Sequence, residues 1–325
     1  MRGGNFIYRY ALIASLSLLT CLPAAWASEK YPNREIQLIL PNAPGGFIDP
    51  VVRLMQEGLE KHLGAKIVIN NRPGAGGATG TQYLVKSKPD GYTFGVVASA
   101  NTVLGPATIP SLPYKYNDLD SLCRFVADAG IVFVRGEAPW KTVEDLVADA
   151  KRRPDQITYG ATTNSVSHFL MQGFLSQAGI IMNHVPLQAA AETTVRIMGG
   201  NLDVGVISLN NITGQLRDGS LRGLFLATPE RVPAFPEIPT LREKGYKDPI
   251  LTLYFGFFAP PGLPKAIRQT LVKGLEKTVK DPTIQKKVSA RGATLQYAPG
   301  DVLAKEIAED YQQIVKIVKA RKTGK

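Results

Sequence analysis

The chain has 325 residues, 44% of them hydrophobic, 20% charged and 8% aromatic, with a formal net charge of +11. This composition is globular and the length suits about two domains, which excludes a disordered, collagen-like or polytopic membrane chain. Two cysteines, Cys21 and Cys123, exclude a disulfide scaffold and a thiolate zinc site, and His62, His168 and His184 lack metal-ligand spacing.

In chain order, the N-terminus reads as a processing signal. Arg2 and Arg9 form a basic segment without acids, Ala11 to Leu22 is an apolar run, Pro23 breaks it, and Ala25-Trp26-Ala27 is a small-x-small cleavage site. The expectation is a secretory signal peptide spanning 1–27, cut before Ser28, and a mature chain without a membrane span. Lipidation at Cys21 is the alternative, disfavoured because Thr20 precedes it where a small residue is needed. Removing 1–27 leaves Cys123 alone, so no internal disulfide forms. Much of the excess positive charge lies in the tail, at Lys316, Lys319, Arg321, Lys322 and Lys325. A nucleic-acid surface needs a clustered basic face, so no nucleic-acid partner is expected.

The mature chain alternates strands and helices. Glu35–Leu40 reads as a strand, and Asn42–Gly46 as a turn-rich loop. Ile48, Val51, Val52, Met55, Leu59 and Leu63 recur at helical spacing up to Gly64. Lys66–Asn70, Gly77–Lys86 and Tyr92–Ala98 follow as strand, helix and strand, with a turn at Pro89-Asp90-Gly91. The rhythm returns at Ile131–Val134 with Val143–Lys151, and at Ile157–Gly160 with Val166–Gln177. Asp203–Ile207 and Leu221–Ala227 are further short strands. This pattern predicts an α/β fold with mostly parallel sheets. Segments near 125–130 and 248–255 read as crossovers. Two crossings give one discontinuous domain, 28–127 plus 250–325, and one continuous domain, 128–249.

Open parallel sheets place ligands at the carboxyl ends of their strands. There the sequence puts Pro41-Asn42-Ala43-Pro44-Gly45-Gly46 ahead of a helix whose N-terminal N–H groups favour an anion, with Asp49 as a candidate cap. A tight turn without ligand fits the same pattern. Asn71 to Gly80 is a second Gly-rich turn, but Thr79 breaks the dinucleotide spacing, so no nucleotide cofactor is expected. Ser99-Ala100-Asn101-Thr102, Ala161 to His168, and Ser208-Leu209-Asn210-Asn211 bring hydroxyls and amides to other strand ends. Such neutral donors suit a carboxylate, and equally serve as caps and turns. His168 also reads as a packed structural histidine, and Asp203 as a loop tie. No nucleophile elbow, metalloprotease helix or Cys/His pair is present, and Ser167-His168 is no dyad because adjacent helical residues diverge by about 100°. No metal or cofactor is expected.

One resemblance covers nearly the whole mature chain. Tyr31-Pro32, then Leu40-Pro41-Asn42-Ala43-Pro44-Gly45-Gly46-Phe47-Ile48-Asp49, resembles the opening of the Bug family, the substrate-binding proteins of tripartite tricarboxylate transporters. Asn71-Arg72-Pro73-Gly74-Ala75-Gly76-Gly77, Pro89-Asp90-Gly91-Tyr92-Thr93, Leu112-Pro113-Tyr114, Ser167-His168, His184-Val185-Pro186, Gly199 to Asp203, Phe235 to Thr240, and Ala259 to Pro264 follow in order. The resemblance implies a two-domain, type II Venus-flytrap periplasmic binding protein, not an enzyme. It would hold a small carboxylated solute in an interdomain cleft and deliver it to transporter membrane subunits. A monomer is expected. By position, the ligand-binding candidates are Ala43, Gly45, Gly46, Phe47, Asp49 and Ser99 in the first domain and Thr162, Ser167, His168 and Ser208 in the second. Tyr254, near a crossover, is a candidate to stack on or roof the ligand.

The chain departs from the family pattern at several points. Asn42 stands where relatives carry Phe, and Phe47 where they carry a small residue. His184-Val185-Pro186-Leu187-Gln188-Ala189 lacks the usual Tyr and Lys, and Ile207-Ser208 stands where relatives often place an Asp. The missing acid argues against an amino-acid ligand, the missing Lys against a tricarboxylate, and Phe47 for an apolar or aromatic body. A secreted hydrolase or transferase on the same fold, or a receptor feeding a sensor kinase, are the alternatives.

Overall fold

In the computed structural model, residues 31–45, 48–187, 189–228, 230–247, 253–290 and 293–322 are described. The expected signal peptide, Cys21, Gly46, Phe47, Gln188 and most of the second expected crossover lie outside them.

The apolar stripe of the first helix decides its packing. In α1 (Ile48–Leu63), Ile48, Val51, Val52, Met55, Leu59 and Leu63 are all buried, and Gly64 ends the helix at φ +72°. This face covers strands β1 (Ile36–Leu40) and β2 (Ile67–Asn71), which pair in parallel. Helix α2 (Ala78–Val85) then leads to β3 (Thr93–Ala98), parallel to β1 on its other side. Gly80 of α2 requires its bare Cα: a Cβ there would lie 2.6 Å from the Arg72 carbonyl and 2.8 Å from Pro41 Cα. That close approach seats both Gly-rich loops against one helix.

The expected connector near 125–130 is mostly strand. β4 (Asp120–Asp128) and β5 (Gly130–Arg135) are separated only by Ala129, yet they belong to different sheets. After β5 come α3 (Val143–Arg152), β6 (Thr158–Ala161), α4 (Val166–Ala178), β7 (Asn183–Pro186), α5 (Ala190–Met198), β8 (Val204–Ser208) and β9 (Leu221–Ala227). Helix α3 starts in a capping box, with Thr142 and Asp145 each accepting from the other's backbone N–H. The chain returns along β10 (Leu253–Ala259), followed by α6 (Lys265–Val279), α7 (Pro282–Ser289), β11 (Leu295–Pro299) and α8 (Gly300–Lys322).

The six-stranded sheet has the order β11-β4-β10-β3-β1-β2, and the five-stranded sheet β7-β6-β8-β5-β9. The expectation of mostly parallel sheets is corrected here. β10 runs antiparallel to both β3 and β4, β11 antiparallel to β4, and β5 antiparallel to β8 and β9. The cause is the path of the chain. It leaves the first sheet along β4 and returns along β10 beside it, so the two run in opposite directions.

One face of the six-stranded sheet packs on α1, α6 and α7. The other face meets α8 and a π-helical turn at Ala100–Leu104 through Ile39, Val97, Val103, Leu303, Ile307 and Ile314. Val166 and Phe169 of α4 join that cluster, so an element of the second sheet packs directly against the first. The five-stranded sheet is covered by α3 and α4 on one face and α5 on the other. No described helix is long and apolar enough to cross a membrane.

Candidate functional site

Parallel pairing puts the carboxyl ends of β1, β2 and β3 along one edge, and those of β6, β7 and β8 along one edge of the other sheet. The chain passes between these edges through Ala129. Around that passage, the Leu209 N–H donates to the Ala129 carbonyl at 2.8 Å, and Ser208 Oγ and Asn210 Nδ2 donate to the Asp128 carboxylate. The two rows of strand ends that carry the sequence candidates therefore meet at the crossover.

The first Gly-rich loop is tied down by Asp49. Its carboxylate is 4% exposed and accepts from the Gly45 N–H, Arg53 Nε and Asn71 Nδ2, each at 3.0 Å. Asn71 also donates to the Asn42 carbonyl at 3.0 Å. Gly45 takes φ +78°, and Ala43 and Gly45 are exposed. The Gly45 N–H is thus used within the loop, and the Asp49 carboxylate holds that loop in place. Arg53 is the i+4 neighbour of Asp49 on α1, a spacing the sequence already offered, whereas Asn71 is 22 residues away and only the fold brings it to Asp49.

The Arg53 guanidinium holds the Asp49 carboxyl at about 2, below the ordinary carboxylate range. Burial opposes it, while the Gly45 and Asn71 donors assist. The native group is the stronger acid, so its contribution is complete above the unfolded value near about 4 and is lost as pH falls toward about 2. The Asn71 side-chain amide resonance should therefore stay at its neutral-pH position down to about pH 3 and move only near about pH 2. A transition centred near about pH 4 would show that the tie does not exist in solution.

Ser99, fully buried, accepts from the Tyr254 N–H at 3.4 Å. Tyr254 is 2% exposed, packs with Val166 and Phe169, and shares a 2.5 Å hydrogen bond with Thr102 Oγ1. Burial pushes its phenol up. Tyr254, the expected roof, is thus a buried side chain of this cluster, with Ser99 bonded beside it. Asn101, on the π-helical turn, donates to the Gly76 carbonyl at 2.9 Å and fixes the second Gly-rich loop. In that loop the Gly77 and Thr79 N–H groups both turn back to the Gly74 carbonyl, so the turn closes on itself.

On the second sheet, the loop after β6 is built around His168. Ser165 caps α4 by accepting from the His168 N–H, and the Asn164 N–H donates to His168 Nδ1, each at 3.2 Å. Asn164 has φ +59°, which that bond helps to hold. The His168 ring is 1% exposed and lies 4.1 Å from the His184 ring, whose Nε2 is 3.0 Å from the Ala161 carbonyl. His168 therefore shapes the loop from below, leaving Thr162 exposed and Ser167 half-buried above it. His168→Phe should keep the ring packing and remove the acceptor. We expect a stability loss of about 1 kcal/mol and a ligand affinity about five- to tenfold weaker. Unchanged affinity would show that the loop's shape does not matter for binding.

Asp203 is a loop tie, as its place among apolar residues suggested. It accepts from the Thr158 N–H and hydroxyl, both at 2.8 Å. Ser208 lies at the end of β8 as expected, but its Asp128 partner was not anticipated. No group of three or more metal-ligating side chains occurs among the described residues. Cys123 is buried, and burial raises its thiol pKa.

Comparison with known proteins places the chain in a family. The model described as "Tripartite tricarboxylate transporter family receptor" matches residues 51–323. BugT of Bordetella pertussis is 29% identical over 323 residues, covering 98% of each chain. A TctC solute-binding protein from Polaromonas superposes with a TM-score of 0.83 at 25% identity, covering 89% of this chain and 99% of the other. MatC of Rhodopseudomonas palustris, solved with bound malate, shares the fold at TM-score 0.64 and 24% identity, covering 89% of this chain and all of the other.

Proposed function

The chain belongs to the tripartite tricarboxylate transporter receptor family, and from that premise we propose that it is an exported receptor for a small carboxylated solute, which it hands to transporter membrane subunits. The family is one of solute receptors with the periplasmic-binding-protein fold, not an enzyme class. The observation that carries the reading is the meeting of two sets of parallel-strand ends at the one-residue passage through Ala129. Solute would be held between lobes 28–127 plus 250–325 and 128–249. The first would offer the loop around Ala43, and the second Thr162 and Ser167, while Ser208 spends its one hydroxyl proton on Asp128. Neutral donors on loops fixed from beneath by Asp49, Asn101 and His168 can hold a carboxylate without a rigid countercharge. Malate bound to a protein of the same fold supports this ligand class.

The test is mass spectrometry of small molecules released from purified, denatured protein. A stoichiometric carboxylate supports the receptor, and its absence from every preparation counts against it. Export is checked by intact mass of the secreted chain. It should begin at Ser28, and a lipid-modified Cys21 at the N-terminus would contradict the expected cleavage.

A further inference from the structure

The crossover contains a carboxylate that the loop ties do not explain. Asp128 ends β4, and its side chain is desolvated where the two sheets meet. Ser208 Oγ donates to one oxygen and Asn210 Nδ2 to the other, at 3.1 Å, and the Ala129 backbone N–H adds a third hydrogen bond. All three donors are neutral. Among the described residues no lysine, arginine or histidine forms an ion pair with Asp128. Asp49 and Asp149, two buried aspartates, are both paired with arginine. Burial pushes the Asp128 carboxyl up, the direction expected of an acid lacking a cation.

A desolvated carboxylate without a countercharge is costly unless something else supplies the charge. The two oxygens together offer about four lone-pair sites, so capacity remains beyond the three neutral donors. The residue is half-buried and Asn210 is exposed, so the cluster borders open space rather than the core. Strand β10 lies between β4 and β3, so the Asp128 end is roughly 10 Å, two strand spacings, from the Ser99 end. The first Gly-rich loop lies one strand further on. A small solute lying across these ends would present one terminus to that loop and a group along its body to Asp128.

We propose that Asp128, held by Ser208 and Asn210, is a specificity-determining subsite for a ligand ammonium group, so that the bound solute is an amino carboxylate. This rests on the receptor reading above and sharpens it. It also reverses one expectation from the sequence. Ile207-Ser208 stands where relatives often carry an acid, which argued against an amino acid, yet the fold brings an acid to Ser208 from a strand 80 residues earlier. The ammonium would supply the missing countercharge and up to three donors to oxygens already oriented for it.

The experiment is calorimetry on the mature protein, stripped of endogenous ligand, with matched pairs: L-alanine and propionate, L-aspartate and succinate, L-glutamate and glutarate, L-phenylalanine and hydrocinnamate. At least one amino member should bind about tenfold or more tighter than its partner. Asp128→Asn should weaken that member by about ten- to a hundredfold and leave any binding of the unsubstituted acid within about threefold. Without ligand, Asp128→Asn should melt no lower than the parent, since it removes an uncompensated charge. The proposal is overturned if no amino member binds, if the unsubstituted acids bind equally well, or if Asp128→Asn weakens both members alike or lowers the melting temperature markedly. Saturable binding of unsubstituted acids alone leaves the receptor reading standing and removes only the ammonium subsite. Failure of every carboxylate, together with no carboxylate released on denaturation, removes both.

Discussion

Asp49→Ala is expected to lower stability by about 2–4 kcal/mol and to weaken ligand binding by more than about tenfold. Three donors converge on this carboxylate: Arg53 from the next turn of the same helix, and the Gly45 N–H and Asn71 amide, which tie the loop and strand β2 to α1. Arg53 is half-exposed and regains water when the acid is removed, whereas the Gly45 N–H and the Asn71 amide lose their shared anchor. The loop would then sample other conformations, and the solute would have to select one of them. Thermal melts and calorimetry on the same variant separate the two losses. Asp49→Asn keeps the side-chain size and one acceptor, so it should fall between the parent and the alanine variant. If Asp49→Ala loses stability but keeps full affinity, the loop is not part of the binding surface.

A large purely structural effect is expected at Gly300, the first residue of α8. A Cβ there would lie 2.1 Å from the Ser121 carbonyl oxygen, 2.7 Å from that of Leu122 and 2.9 Å from the Arg268 guanidinium. The first two are backbone atoms of β4, a central strand, and cannot swing aside. Arg268 is held there by donating to the Ser121 carbonyl at 2.7 Å and pairing with Asp120 at 3.2 Å. Gly300→Val must lift the start of α8 off the sheet, and we expect a loss of about 3 kcal/mol or more in a thermal or urea melt. Because Leu303, Ile307 and Ile314 of α8 share a cluster with Val166 and Phe169 of α4, the loosened helix should also weaken packing between the two sheets. A variant as stable as the parent would show that α8 does not dock through Gly300 in solution.

The parts of this molecule legible in the sequence are those set by neighbours in the chain. Helix α1 needed only its spacing and Gly64, and β9 runs from Leu221 to Ala227 as its apolar run indicates. The edge strands β7 and β11 carry mixed burial and no clear alternation, so they were missed. Strands β4 and β10 were partly hidden for a different reason. Each was read in part as a connector, because the chain changes sheets with almost no loop and the pairing partners are remote in sequence. The site shows the same division. The Gly-rich loop, the Ser165 cap region and Ser208 stand out because turns and strand ends have local chemistry. Which groups face a ligand does not. Tyr254 has the same apolar body and polar tip whether it roofs a solute or pairs with Thr102, and only the fold decides between them. Asp128 carried no local signal, because its partners are 80 and 82 residues away.

The most direct test of the central claim is a titration of the stripped protein with the carboxylate released from it, followed by recovery of that compound. The account predicts saturable one-to-one binding and quantitative return of the compound unchanged. Conversion of the compound to a product, or heats that never saturate, would contradict a receptor that holds its solute between two facing rows of strand ends.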